Sequence, residues 1–473
     1  MITRTRIGAA VLLAATLGLY FAGQQTNPPG FYVDECSVAF NALQIARHGV
    51  DEYGVPFPLF FKAFGEYKNP VFIYLLAGVF KAAGPSNLAA RRLSAFLGWL
   101  ACVAIGWLAL RTSRSPTIAA AALLLAAFTP MIFEISRLAF EVAFYPLATA
   151  LFLLAAWRAS RRERWTAGDV AALTATLVLL AYSYSIGRLL APLLLVALIV
   201  FFFTRTRLPH LAAVALLFVL LGVVAMIVYN RTHDGAMTLR FRSLTYVDAS
   251  RPIETLTTFE QHYAGNTLPL AMGLLGDGND RLHVPHSGGS ILLVTFVLAA
   301  IGAAVALRSR DRWRLFVLAG AALSLVPASL TFDVRHTLRM SPYPVFLIAL
   351  SIPAMEWLAQ RRRAAAAIAI AGAVQAVFFM TVFHRDGGKR WAEFDHGARR
   401  AVKAALTPGV RPVAIEESVH IQAWWYGAQL GVDRSAFFLG PPKPGGVALS
   451  GHGAPKNALI LLDAEGYTVY IAE

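Results

Sequence analysis

Apolar residues fill long stretches of this chain, and polar residues collect in short intervals between them. Runs of about 20 apolar residues recur along most of its length, each long enough to cross a hydrocarbon core of about 30 Å. We place eleven spans, at 7–23, 88–110, 116–133, 139–157, 168–186, 189–204, 209–229, 290–307, 315–331, 342–359 and 364–383. The first follows a basic start, "MITRTR", as a secretory signal would, but its apolar part is long and "FAGQQTNPPG" is a poor small-residue cleavage site. It is read as an uncleaved helix. A β-barrel would instead show alternating segments of about ten residues.

Two segments between the first and second spans carry a different pattern. "CSVAFNALQIARH", 36–48, has apolar positions at helical spacing and predicts an amphipathic helix at the membrane interface. "NPVFIYLLAGVFKAAG", 69–84, is apolar but short, and Lys81 near its end fits a helix lying at the surface. From 384 onward the pattern becomes that of a soluble domain. "GKRWAEFDHGARRAVKAAL" and "SVHIQAWWYGAQLG" predict helices, and "RPVAIEE", "NALILLD" and "YTVYIAE" predict strands. The chain therefore divides into a membrane domain, 1–383, and a small α/β domain, 384–473. Neither a GxxxxGK[ST] loop nor a strand-linked GxGxxG occurs.

Composition agrees: 57% of the 473 residues are hydrophobic and only 15% charged, against roughly a quarter charged in soluble domains. The net charge of +15 does not mark a nucleic-acid binder, because the arginines fall in short clusters between apolar runs rather than in one stripe. Cys36 and Cys102 form neither a disulfide framework nor a zinc knuckle. The arginine clusters set orientation. With the N-terminus in the cytoplasm, the inside segments are "TRTR", "RTSRS", "RASRRERW", "RTRL", "RSRDRWR" and "QRRRA", holding seventeen arginines against Glu163 and Asp311. Loops 24–87 and 230–289 and the C-terminal domain then lie outside, facing the periplasm or cell exterior.

Charges gather at the outer ends of the spans. Asp34 and Glu35 follow the first; Glu66 and Lys68 stand in "FGEYKNP"; Glu134, Arg137 and Glu141 stand in "FEISRLAFEVAF"; Tyr182, Tyr184 and Arg188 stand in "YSYSIGR"; Asp333, Arg335, His336 and Arg339 stand in "TFDVRHTLR". Charges near a bilayer are costly and mark a pathway or a site. This mixture suits transfer from a phosphate-linked donor: a carboxylate takes a proton from the attacking hydroxyl or amine, and Lys and Arg hold the phosphate leaving group. Each also has a plain structural reading. Asp34 could cap the 36–48 helix, Glu141 could pair with Arg137 four residues earlier, and Arg188 could reach lipid headgroups. His283 and His286 in "RLHVPHSGG" are a weak metal pair, and Trp424 and Trp425 serve packing more readily than sugar stacking.

"YVDECSVAFNALQIARHGVDEYG" and "FGEYKNPVFIYLLAGVFKAAGPSNLAARRLSAFLG" resemble the start of the membrane-embedded GT-C glycosyltransferases, and more narrowly the bacterial glycosyltransferase family 39, with protein O-mannosyltransferases and the lipid A aminoarabinose transferase as relatives. The likeness is strongest over 28–190 and persists through "VPASLTFDVRHTLR". It implies an all-α polytopic GT-C fold of about eleven transmembrane helices with a small extracytoplasmic α/β domain. It also implies a plasma-membrane enzyme that moves a sugar from a polyprenyl phosphate, usually with inversion, to a lipid, glycan or protein acceptor. By the resemblance, Asp34 is the base with Glu35 beside it, and Glu141 accompanies them. Lys68 contacts the donor phosphate, while Arg137, Arg188, Arg335 and Arg339 give further phosphate contacts. Glu66, Tyr184 and His336 complete the candidate site. Relatives often carry two prolines after the lysine, where this chain has Asn69 and Pro70. No cofactor is required by these motifs, and a divalent metal is left open. Two other readings are a flippase for lipid-linked saccharides, which would place charges near the midplane and show two related halves, and an inactive scaffold of the same fold.

Overall fold

The computed structural model describes residues 2–233 and 235–473, with side chains from Arg6 onward; Arg4 of the first basic cluster thus lies outside the described side chains. The chain is a multi-pass helical membrane protein. Among the described residues, four helical stretches are long and apolar enough to cross a membrane unaided: Asn87–Ser113, Glu141–Ser160, Leu208–Thr232 and Arg362–Lys389. Shorter apolar helices stand at Arg6–Phe21, Pro70–Ala83, Pro116–Ala127, Ala167–Ser183, Gly187–Phe202, Leu293–Ser309 and Tyr343–Ala359. A further helix, Arg312–Ser324, falls in the 315–331 run, which breaks into a short turn at Val326–Ser329.

Local chemistry sets the ends of these helices. The Ser86 hydroxyl accepts the Ala89 N–H, and Ser115 caps a helix that opens on Pro116. Thr166 and Asp169 form a reciprocal capping box, and Arg158 and Arg162 both pair with Asp169. Close packing then joins neighbours. Leu293–Ser309 lies against Tyr343–Ala359 at Gly302, where a Cβ would collide with the Leu350 carbonyl.

The Val33–His48 helix is enclosed by protein over much of its length. Every residue from Glu35 to Leu43 is buried, because the helix packs between Pro70–Ala83 and a C-terminal helix, His420–Gln429. It is pinned from within. Arg91 Nε and Nη2 donate to the two Glu35 oxygens at 3.0 and 2.8 Å, and Arg91 Nη1 donates to Pro28 O at 2.6 Å. The Tyr32 and Ala139 amides, each at 3.0 Å, complete the Glu35 shell. Glu35 is wholly buried and Arg91 only 2% exposed, so this fork-to-fork pair is far from solvent.

The C-terminal part holds a five-stranded sheet in the order Phe437–Leu439, Val413–Ile415, Val447–Ser450, Tyr467–Ile471, Leu459–Ala464. The first three are parallel and the rest antiparallel. The three expected strands are present; Phe437–Leu439 and Val447–Ser450 are additional. The long helix expected over 388–406 shortens to Ala398–Leu406, because 387–394 turns in two short 3-10 segments and Asp395 is left-handed. Trp425 is fully buried, stacked between Phe31 and Phe80.

His283 is not arranged as a metal ligand. Its Nδ1 meets Glu134 Oε2 at 2.7 Å, its Nε2 meets Gly288 O at 2.7 Å, and the Val284 amide donates to Glu134 Oε1 at 2.9 Å. The pair fastens the 276–292 loop to the 130–135 turn. Burial lowers the imidazole's proton affinity, but Glu134 outweighs it and the pKa rises to about 9.

Two predictions follow from these buried pairs. Removing one partner of such a pair costs about 3–5 kcal/mol, so Glu35→Ala should unfold well below the parent in detergent, while Glu35→Met with Arg91→Met should recover part of the loss; melting by intrinsic fluorescence reads both. Because the His283 pKa is raised on folding, its stabilisation is complete below about pH 6.5 and fades as pH rises through about 9. The melting point should fall across that window, and His283→Gln should flatten the fall.

Candidate functional site

Adjacent residues on a helix point about 100° apart, so burying Glu35 turns Asp34 toward the other side, into a cleft. The first turn is held further by Asp395, whose Oδ2 accepts the Val33 N–H at 2.8 Å. Asp34 itself caps nothing; the distant Asp395 serves instead. Opposite stands a two-residue hairpin. Phe61–Ala63 pairs with Glu66–Lys68 through Phe64 and Gly65, both at positive φ, which is the backbone a tight hairpin turn requires. The strand delivers Lys68 Nζ to 2.7 Å from Asp34 Oδ1; Lys68 is 6% exposed and Asp34 40%. Burial works against both charges, yet each sustains the other. Lys68 holds the Asp34 carboxyl below the usual carboxylate range, and Asp34, with Glu141 nearby, raises the ammonium above its own.

The next residue ties in two more charges. Glu141 opens a 3-10 turn, Glu141–Phe144, and its Oε2 accepts from the Asn69 backbone N–H at 2.8 Å and side-chain Nδ2 at 2.7 Å. Asn69 Oδ1 in turn accepts from Arg188 Nη2 at 3.2 Å, and Arg188 Nη1 donates to Met237 O at 3.0 Å. A proline at 69 would have no N–H to give Glu141. Glu66 pairs with Arg240 Nη1 at 3.0 Å, which brings the exposed helix Leu239–Leu244 across the opening.

Asp34, Glu66, Lys68, Asn69, Glu141, Tyr184 and Arg240 line one cleft, closed by Val38, Phe140 and Leu338. Its volume is about 90 Å³, below the roughly 300–1,000 Å³ of ligand pockets.

Other expected residues stand apart from the cleft. Glu35 has its lone pairs taken by Arg91 and two amides and does not share the cleft with Asp34. Arg137 donates to Ala22 O at 2.6 Å and Leu19 O at 3.4 Å and sits over the Phe133 and Phe383 rings, closing the open carbonyls at the end of the Ile2–Phe21 helix. It does not pair with Glu141. Arg339 binds Thr331 Oγ1 and Asp333. The left-handed Arg335 gives its amide to Asn266. His336 is driven down to about 4 by burial and the Arg339 charge. That segment reaches the cleft only through Leu338. Among the described residues, no group of three or more His, Cys, Asp or Glu side chains stands close enough to hold a metal.

No protein-family profile matches this chain, and no curated protein does. Solved structures do. ArnT from Cupriavidus metallidurans, in the apo state and bound to undecaprenyl phosphate, superposes with a TM-score of 0.64 at 13% identity, over 98% of this chain and 98% of that one. The archaeal oligosaccharyltransferase AglB from Archaeoglobus fulgidus, in complex with an inhibitory peptide and a dolichol-phosphate, gives 0.50 at 16% identity, over 93% of this chain and 69% of that one. With ArnT matched end to end, this chain has the fold of the GT-C membrane glycosyltransferases.

Proposed function

We propose that this protein is an integral membrane glycosyltransferase that moves a sugar from a polyprenyl phosphate to an acceptor hydroxyl or amine. The observation that carries the reading is the Lys68–Asp34 contact of 2.7 Å in a cleft that also holds Arg240, within a fold whose solved neighbours bind undecaprenyl phosphate and dolichol-phosphate. The chain crosses the plasma membrane eleven times with its N-terminus inside. The cleft and the 384–473 domain face outward.

The steps follow from the side chains. As donor phosphate arrives, Lys68 exchanges the Asp34 carboxylate for a phosphate oxygen, and Arg240 leaves Glu66 to do the same. Asp34, stripped of its partner, becomes the more basic group and accepts the proton of the acceptor. The acceptor oxygen or nitrogen then bonds to the anomeric carbon, the bond from that carbon to the phosphate oxygen breaks, and the leaving charge rests on Lys68 and Arg240. Glu141 is a positioning residue: through Asn69 it holds the backbone beside Lys68 and orients Arg188. Glu35 positions Asp34 from the opposite side.

The test is transfer of radiolabelled sugar from a panel of polyprenyl-phosphate sugars by purified protein, with membrane extract and water as acceptors. Asp34→Asn should lower turnover by about 10²–10⁴-fold, the usual worth of a general base. Equal transfer by parent and variant would remove Asp34 from the chemistry. In the same assay Asn69→Ala should weaken donor binding more than it lowers turnover, because Arg188 loses its Asn69 Oδ1 acceptor and Glu141 loses the Nδ2 donor; an unchanged donor KM would contradict that.

A further inference from the structure

A second cavity, of about 300 Å³, lies at the far end of the helices from the reacting cleft. The Tyr145–Ser160 helix follows the Glu141 turn, which lines the cleft, and Arg161, the next residue after that helix, lines the cavity. The helix has 16 residues, which sets the two sites about 24 Å apart along its axis. The ends of Asn87–Ser113 and Tyr343–Ala359 and the start of Arg312–Ser324 supply the other walls.

Positive charge dominates this cavity. Arg111, Arg114, Arg161 and Arg314 share its wall with Asp311 and Glu356. The two acids are already engaged. Asp311 Oδ1 accepts the Arg314 amide at 2.9 Å as a helix cap, and Glu356 reaches only Arg314, at 4.0 Å. Among the described residues, the Arg111, Arg114 and Arg161 side chains have no hydrogen-bond acceptor and no ion-pair partner. Arg111 is seated by rings instead, its Cζ 5.2 Å from the Trp157 centroid and 5.9 Å from that of Trp107. Arginines that only set orientation need no such convergence. Nearby Arg158 and Arg162 are spent on Asp169, and Arg207 on the Ser160 and Arg162 carbonyls. On the opposite wall, Pro353 inside Tyr343–Ala359 removes the N–H that the Ala349 carbonyl would accept.

We infer that this cavity binds the phosphoglycerol headgroup of an anionic phospholipid, its phosphate on Arg111, Arg114 and Arg161 and its glycerol hydroxyls toward Glu356 and the Ala349 carbonyl. Guanidinium forks match phosphate oxygens in pairs, and a cation or a neutral sugar would leave three arginines without an acceptor. A lipid source is favoured over a free phosphate because the cavity opens on the sides of spanning helices. Leu350, Ile352 and Val317 form its floor, and the exposed Trp107 ring stands one turn from Arg111 toward the hydrocarbon, as interfacial aromatic residues do. Basic pockets between spanning helices are a known setting for anionic headgroups. This site is independent of the glycosyltransferase reading; under the orientation proposed above it faces the cytoplasmic leaflet.

The test is native mass spectrometry of the full chain in detergent, titrated separately with phosphatidylglycerol, phosphatidylcholine and water-soluble glycerol phosphate. The expected result is one phosphatidylglycerol adduct held at least tenfold more tightly than phosphatidylcholine. Arg111→Gln with Arg161→Gln should weaken it at least fivefold. A second variant, Thr112→Trp, fills the cavity with every arginine kept and should weaken it as well. Arg164→Gln with Arg205→Gln removes two charges from the same end of the helices but outside the cavity, and should leave the adduct intact. Equal affinity for the two lipids, an adduct unchanged in both cavity variants, or equal weakening by the control pair overturns the site, the last because bulk charge alone would then explain binding. Glycerol phosphate bound as tightly as the lipid would overturn the lipid source and leave a site for a soluble phosphate.

Discussion

The arrangement depends on one buried ion pair. Arg91 and Glu35 meet with bidentate geometry where no solvent reaches, and a charge there is tolerable only with its partner in place. The pair fixes the rotation of the Val33–His48 helix, and rotation decides that Asp34, one residue earlier, faces the cleft. Two adjacent acids after the first span thus divide the work: one is spent on structure so that the other faces the cleft.

The same economy runs through the cleft. Lys68 is nearly buried and has Asp34 as its salt-bridge partner, Glu141 is held by Asn69, and Glu66 is held by Arg240. Each of these charges thus has an opposite charge or an amide as its partner. A phosphate is the natural agent to break such a set, because it competes for lysine and arginine and releases the carboxylates in one event. On the proposed mechanism, this coupling makes Asp34 basic only after donor has bound.

Much of this was legible in the residues. The apolar runs located the helices, and Asp34, Glu66, Lys68, Glu141 and Tyr184 line one cleft. What failed did so for physical reasons. The rotation of a helix cannot be read where two candidate residues adjoin, so Glu35 was expected beside Asp34 at the site rather than buried against Arg91. Arg137 is charged and at a span end, as a site residue would be, yet orphan carbonyls of another helix claimed it. Asn69 carries no charge and reads as a loop residue, while Arg240 sits in a loop with no periodic pattern. Both became visible only when distant segments were brought together. The 36–48 segment looked amphipathic because its polar positions include Asn41, which is satisfied in the interior.

The central claim is that donor phosphate and Asp34 compete for Lys68. The most direct measurement is the affinity of undecaprenyl phosphate for the parent and for Asp34→Asn, read by native mass spectrometry at matched ionic strength. A partly exposed ion pair of this kind is worth at most about 1 kcal/mol, so the account predicts that the variant binds the phosphate up to about fivefold more tightly while losing turnover. Equal or weaker binding by Asp34→Asn would contradict the exchange and leave the 2.7 Å contact a purely structural one.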